Sequence, residues 1–184
     1  LAQRKNLDFR YNIKKATAPI HVDGVIEEAW LDTETASDFN MVLPMDTSKA
    51  MVKTEVKMSY DNTHLYIVAI CYFKEDQPYM VESLKRDFNF GKNDNFLLFM
   101  DPFDDQINGF TFGSNAAGAQ WDGLLFDGGK ADLNWDNKWT SHVKGYKDKW
   151  IWEASIPFKT IRYKNGITTW GINFSRLDIT EAEK

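Results

Sequence analysis

The sequence has few of the residues that disulfide frameworks, thiolate metal sites and nucleophilic active sites require. Its 184 residues include one cysteine, Cys71, which excludes an internal disulfide and a cluster of thiolate ligands. The histidines, His21, His64 and His142, are far apart, and none lies in an HExxH or nucleophile-elbow motif. No glycine-rich phosphate loop precedes a helix pattern. The sequence therefore gives little support for catalysis by histidine or cysteine, or for a nucleotide-binding site.

Long apolar runs and an excess of positive charge are also missing. No apolar run approaches the roughly 18 residues that a membrane-spanning helix needs. The net charge is -5 and the pI ≈ 5.2, which argues against a nucleic-acid partner, because nucleic acids favour basic surfaces. We predict a charged N-terminal arm over residues 1–17 and one domain over residues 18–184.

Apolar side chains alternate with a period of two through most of the chain. Residues 53–60 have an apolar face and a polar face, whereas residues 64–73 are apolar on both faces. The second pattern is typical of a central strand that is covered on both sides. The short link at 61–63 predicts a hairpin between the two strands.

Further strand patterns follow, and helix patterns are rare. The only clear helix pattern is 22–30, with Asp23 as its cap, and 158–161 can form one helical turn. The chain is therefore predicted to be all-β, an antiparallel sandwich or barrel with one or two short helical turns. The remaining strands are predicted at 95–101, 110–115, 118–126, 139–146, 150–156 and 168–178.

One segment, WDGLLFDGGKADLNWDNKW (121–139), combines three tryptophans, four aspartates and three glycines. Exposed indole rings can pack on sugar C–H groups while neighbouring polar groups bind the hydroxyls. The alternative is a surface loop whose rings only anchor it to the fold. On the first interpretation, the candidate ligand-binding residues are Trp121, Asp122, Asn134, Trp135, Asp136 and Trp139.

The segment DPFDDQING (101–109) holds closely spaced oxygen ligands of the kind that calcium prefers. Asp101, Asp104 and Asp105 are the candidate metal ligands, with Asn108 beside them. The spacing is not that of an EF-hand loop, and a solvated turn is the alternative interpretation.

Single residues suggest two further functions. A glycoside hydrolase needs two carboxylates, and Glu153 and Asp101 lie in or at the end of apolar strands, although the alternation predicts that Glu153 points outward. A haem-binding sandwich would use methionine, histidine or lysine ligands. The methionines in predicted loops are Met41, Met45, Met51 and Met80.

Five stretches together resemble carbohydrate-binding module family 9, in the order that the family has them. They cover about residues 18 to 178. They are APIHVDGVIEEAW, KMSYDNTHLYIVAICY, NDNFLLFMDPFDD, WIWEASIPFKTI and WGINFSRLD. The resemblance implies a β-sandwich of immunoglobulin or jelly-roll type, often with structural calcium, that binds saccharide or polysaccharide and has no chemistry of its own.

The resemblance is stronger to a divergent branch in which such a domain precedes an outer-membrane-type β-barrel region. It therefore implies an exported protein (periplasm, outer membrane or extracellular) whose partners are polysaccharide and a C-terminal β-barrel region of the same chain. A structural or interaction domain without a sugar site is the alternative.

The family's sugar site does not carry over to this sequence. Its first clamp tryptophan falls near Gly91, with Phe88 and Phe90 beside it, its glutamate on Leu97 and its arginine on Thr111. A leucine cannot replace a carboxylate that binds hydroxyls. The resemblance therefore predicts that this site is absent or rebuilt.

Overall fold

The computed structural model describes residues 9–43, 48–74 and 79–182. These residues form strands in two sheets and two single-turn 3-10 helices, Glu28–Trp30 and Phe90–Lys92. In this part of the chain, no helix is long and apolar enough to cross a membrane. The strands are β1 (Lys14–Lys15), β2 (Thr35–Ala36), β3 (Thr54–Tyr60), β4 (His64–Tyr72), β5 (Asn95–Asp101), β6 (Gly109–Asn115), β7 (Gln120–Phe126), β8 (Lys130–Asp132), β9 (Thr140–Gly145), β10 (Lys149–Pro157) and β11 (Gly171–Leu177).

The two sheets confirm the predicted antiparallel β-sandwich. The first sheet has the order β1-β3-β4-β10-β9, and β2 also pairs with β3. The second has the order β11-β5-β6-β7-β8. Among the strands of the described residues, only β1 pairs in parallel, with Lys14 opposite Ser59. Residues at the end of the predicted N-terminal arm therefore belong to the first sheet.

The main core lies between the sheets and is rich in aromatic rings. Trp150 and Trp152 lie two residues apart on β10, so both point into it, and they meet Phe96 and Phe112 from the second sheet. All four side chains are almost wholly buried. β10, β5 and β6 contribute alternate residues to this core, so their other residues point to the outer faces of the sheets. Most of these are buried as well, so other segments of the chain cover the outer faces.

The outer face of the first sheet is covered, which confirms β4 as a strand buried on both sides. Val68, Ile70 and Ile151 form a second cluster there with Trp30. Trp30 comes from the segment predicted as a helix over 22–30, of which only Glu28–Trp30 is helical. Gly24 has a φ of +73°, in the left-handed region, so the segment turns before it can form a longer helix.

The prediction that Glu153 points outward to solvent is wrong. Its side chain does leave the sandwich core, but the segment before Trp30 covers it and leaves it wholly buried. Its carboxylate accepts hydrogen bonds from Trp30 Nε1 (2.8 Å) and from the backbone N–H groups of Asp23 and Gly24 (3.0 Å each). This carboxylate therefore holds the first segment of the domain onto the sheet.

Candidate functional site

The tryptophan-rich segment 121–139 is a hairpin followed by an irregular return segment, and it crosses the edge of the sandwich. It comprises β7, a turn and β8, and then runs from the second sheet to β9 in the first. Leu133 packs on the outer face of the second sheet, whereas Trp135 and Trp139 pack on the core between the sheets. The segment thus closes the sandwich along this edge.

This path buries two of the three indoles that the binding interpretation expected to be exposed. Trp121 is 8% exposed, in a cluster with Leu97 and Ala119. Trp139 is also 8% exposed, with its ring 5.3 Å from that of Phe112. Trp121 and Trp139 therefore fit the alternative interpretation, in which rings anchor the segment.

Trp135 is different, because it is half-buried and lines a cleft of about 820 Å³. Its ring lies 5.3 Å from that of Phe110 and 6.0 Å from that of Phe112, so the core supports the indole from one side. We call this the Trp135 cleft. Its lining includes Phe103, Asn108, Phe110, Phe126, Asp132, Trp135, Asn137, Lys159, Thr160 and Arg162.

Hydrogen bonds between main chain and side chains hold the walls of the Trp135 cleft in place. Asn137 Nδ2 donates to the carbonyl of Thr160 (3.2 Å), and Thr160 Oγ1 donates to the carbonyl of Lys138 (2.8 Å). Asp132 accepts from the backbone N–H (3.0 Å) and the side-chain amide (2.8 Å) of Asn134. These two bonds lower the pKa of Asp132, so its carboxylate is ionised at neutral pH.

A smaller cleft of about 540 Å³ adjoins the first and shares Asn137 with it. Its main feature is Arg86, which donates to Gln120 (2.9 Å) and forms salt bridges with Asp136 (2.6 Å) and Asp122. Asp122 is wholly buried, and burial raises its pKa to about 6 despite the attraction of Arg86. The guanidinium and the carboxylates largely satisfy one another.

The six predicted ligand-binding residues therefore separate in space. Trp135 lines the larger cleft and Asp136 the smaller one. Asn134 is exposed and bonds Asp132. Trp121, Asp122 and Trp139 are buried and line neither cleft.

The positions that match the family's sugar clamp form a closed apolar cluster. Phe88 and Leu97 are 4% and 1% exposed and pack with Trp121, while Phe90 packs on them from outside. Thr111 is wholly buried. No carboxylate or guanidinium stands at these positions to bind a hydroxyl.

Two of the three aspartates predicted to bind calcium accept hydrogen bonds within their own turn. Asp101 accepts from the N–H groups of Phe103 (3.0 Å) and Gln106 (2.7 Å), and Asp105 accepts from those of Ile107 and Asn108 (2.8 Å each). Across the three described ranges, no three His, Cys, Asp or Glu side chains are grouped to hold a metal ion. Asp101, Asp104 and Asp105 do not fit a calcium site in this arrangement, and calcium stays a prediction from the sequence alone.

The rival functions gain no support from the geometry. Glu153 is covered by the first segment of the domain, so it cannot reach a glycosidic bond. Met51 and Met80 are exposed at 60% and 54%, and Met41 is half-buried in a loop. Met45 lies outside the described residues.

Sequence reasoning missed most residues of the Trp135 cleft, because they come from turns. Phe103 and Asn108 lie in the segment predicted as a calcium loop, and Lys159 lies in the predicted helical turn, whereas Arg162 is in neither. The cluster of basic residues after Pro157, in FKTIRYK, is the one sequence signal that marks this wall.

Comparisons with known proteins agree with the fold. Residues 22–184 match the family described as carbohydrate family 9 binding domain-like. No curated protein is significantly similar in sequence.

Solved structures with the same fold share little sequence with this chain. A carbohydrate-binding module family 9 protein from Caldicellulosiruptor kristjanssonii is similar in its complexes with glucose (TM-score 0.62, 16% identity, 90% of this chain and 78% of that chain) and with cellotriose (TM-score 0.62, 16% identity, 94% and 80%). A candidate carbohydrate-binding protein from Bacteroides uniformis is similar too (TM-score 0.66, 14% identity, 93% and 85%).

The family match covers most of the chain. Four of the five sequence motifs lie on β3–β4, β5, β10 and β11, and the first lies in the segment that ends with Glu28–Trp30. This chain belongs to the carbohydrate family 9 binding domain-like family.

Proposed function

We propose that this domain binds saccharide chains and that the Trp135 cleft is the binding site. The observation that carries the proposal is a half-exposed indole fixed in an open cleft beside Phe103, Phe126 and hydrogen-bonding side chains. Aromatic faces pack against sugar C–H groups, and a few placed polar groups select the hydroxyls. The complexes of the Caldicellulosiruptor protein with glucose and cellotriose support the ligand class.

The cleft suits a non-catalytic role. Its one acidic side chain, Asp132, is held by Asn134 and ionised, whereas a glycosidase needs two carboxyl groups across the bond to be cleaved. We propose that any hydrolysis of the polysaccharide belongs to another region or protein. Placement in an exported protein, beside a further region of the same polypeptide, stays a prediction from the family resemblance.

Binding is tested by isothermal titration calorimetry of the domain with oligosaccharides of the cellulose, xylan and mannan types and with oligouronates. Trp135→Ala and Phe126→Ala are expected to weaken binding by about tenfold or more, because each removes a ring from the cleft. Phe126 is 39% exposed, so its loss leaves the fold intact even if Trp135→Ala destabilises the core. Phe9→Ala, which removes a 75% exposed ring outside the cleft, is the matched control.

Binding of oligosaccharide that both cleft variants leave unchanged would overturn the assignment to this cleft. Failure of every oligosaccharide to bind would overturn the proposed function and favour the interaction-domain alternative.

A further inference from the structure

The Trp135 cleft has a charge opposite to that of the whole chain. The chain carries a net charge of -5, yet the cleft is lined by Lys159 and Arg162 against the single acidic residue Asp132. Both cations are exposed. Neither is paired with a carboxylate in the part of the chain that the structure describes, whereas Arg86 nearby has Asp122 and Asp136.

The basic wall is held at a fixed place beside the aromatic wall. The turn after β10 that carries Lys159 and Arg162 is fastened at both ends. The carbonyl of Thr160 accepts from Asn137 (3.2 Å), and Lys164 N–H donates to the carbonyl of Pro102 (3.1 Å). The cations therefore stand between the segment that carries Trp135 and the turn that carries Phe103.

Among the described residues, the nearby carboxylates Asp132 and Asp105 form no salt bridge with Lys159 or Arg162 and are bonded to other groups. Asp132 is engaged by Asn134 on the opposite side. Asp105 is bonded to Ile107 and Asn108 of its own turn, and a third cation, Lys164, lies close enough to help lower its pKa. Two cations on an anchored turn, beside an aromatic ring and without an anionic partner among the described residues, form a site for a ligand that supplies the anion.

We propose that the saccharide bound in the Trp135 cleft is acidic, with a uronate carboxylate that pairs with Arg162 and Lys159. The guanidinium of arginine presents two parallel N–H donors that match a carboxylate, and lysine adds a point charge. The sugar ring packs on Trp135. This inference rests on the proposed function, since it names the class of saccharide taken by the same cleft.

The test compares each acid with its own neutral ester. Tetramers of galacturonate, glucuronate and mannuronate are titrated into the domain together with their methyl esters, which keep the ring and lose the charge. At least one acid is expected to bind about tenfold or more tightly than its ester. The preference is expected to shrink between about 0.1 M and about 1 M salt, because salt screens exposed charge pairs.

Variants assign the preference to the basic wall. Lys159→Met/Arg162→Met keeps much of the apolar length and removes both charges, so it is expected to bind acid and ester equally. Arg10→Met/Lys14→Met, an equal charge change at exposed residues that line neither cleft, is expected to keep the wild-type preference. Trp135→Ala is expected to weaken acid and ester alike.

The outcomes separate this inference from the proposed function. If esters or neutral oligosaccharides bind as tightly as the acids, the acidic ligand is wrong and the saccharide function stands. If the acids are preferred but the double variant keeps the preference, the basic wall is not its source and the inference fails. A sulfated oligosaccharide preferred over every uronate would also overturn the carboxylate assignment. If nothing binds, both proposals fall.

Discussion

At the scale of single residues, the environment of Glu153 differs from the one that its position in the sequence predicts. It alternates with core residues on β10, so a sheet with a solvent-exposed outer face would place it in water. Instead it is wholly buried and accepts from Trp30 Nε1 and from two backbone N–H groups. These donors lie in a segment that has little regular structure of its own, so the carboxylate replaces the hydrogen bonds that a helix would supply.

Glu153→Gln is expected to destabilise the domain by about 1–3 kcal/mol. The amide keeps one acceptor oxygen but turns an NH₂ group towards N–H donors, which leaves at least one buried donor without a partner. Chemical denaturation followed by tryptophan fluorescence measures the change. Glu82→Gln, at a side chain that is 54% exposed, is the control and is expected to change stability by less than about 0.5 kcal/mol. Equal effects of the two substitutions would show that the buried hydrogen bonds contribute little.

At the scale of elements, the strands were predictable where both faces are apolar or strictly alternate. The predicted strand 95–101 coincides with β5, and the predicted strands 53–60 and 64–73 each differ from β3 and β4 by one residue at one end. A strand that is covered on both faces needs apolar side chains at consecutive positions, so this pattern predicts the strand directly. β8 was not predicted, because this strand (Lys130–Asp132) is short and largely exposed and so has no alternating apolar pattern.

The Trp135 cleft was only partly predictable for a related reason. Trp135 was predicted as a site residue because its segment is rich in tryptophan and aspartate. The residues that face it come from the turns after β5 and β10, and these two turns are far apart in sequence. Their proximity depends on how the two sheets are stacked. Likewise, local sequence could not separate the half-exposed Trp135 from the buried Trp139, since each side chain's environment is set by the path across the sheet edge.

Gly123 on β7 determines how closely β8 and the return segment approach. A Cβ atom there would lie 2.8 Å from the carbonyl oxygen of Asp132 and 3.1 Å from Leu133 Cδ2. Because the first contact is with backbone, Gly123→Ala is expected to push β8 away, at a cost of about 1–3 kcal/mol. Amide exchange in Lys130–Asp132 should become faster, and saccharide binding should weaken because Asp132 lines the cleft.

Gly91→Ala is the matched control for this substitution. Its added Cβ would meet only Asn89 Oδ1, at 3.6 Å, so stability and exchange in β8 should stay close to those of the wild type. Unchanged exchange in the Gly123→Ala variant would mean that the β8 hairpin can shift without loss of pairing.

At the scale of the whole molecule, Asp94 joins segments from three parts of the chain. It lies just before β5 and is 1% exposed. One carboxylate oxygen accepts from Met80 N–H (2.5 Å), and the other accepts from Ile179 N–H (3.3 Å), close to the last described residues. Its carbonyl also accepts from Ala116 N–H (2.8 Å). Burial, together with the nearby carboxylate of Asp178, raises the pKa of Asp94 to about 6.

The raised pKa of Asp94 predicts how stability depends on pH. An unfolded aspartate titrates near about 3.9, so the folded state holds this proton more tightly. Its contribution to stability is complete below about pH 4 and is lost as the pH rises through about 6. Asp94→Asn cannot ionise, so the fall in unfolding free energy between about pH 4 and about pH 6 should be smaller than in the wild type, whatever the variant's absolute stability.

Asp61→Asn is the control, because hydrogen bonds lower the pKa of Asp61 to about 2. Its contribution has the opposite sign and changes only below about pH 4, so this variant should keep the wild-type slope between about pH 4 and about pH 6. Urea denaturation at half-unit pH steps measures all three proteins. A wild-type slope in Asp94→Asn would mean that the burial of Asp94 does not favour its protonated form. The junction of the three segments would then be equally stable with either charge state.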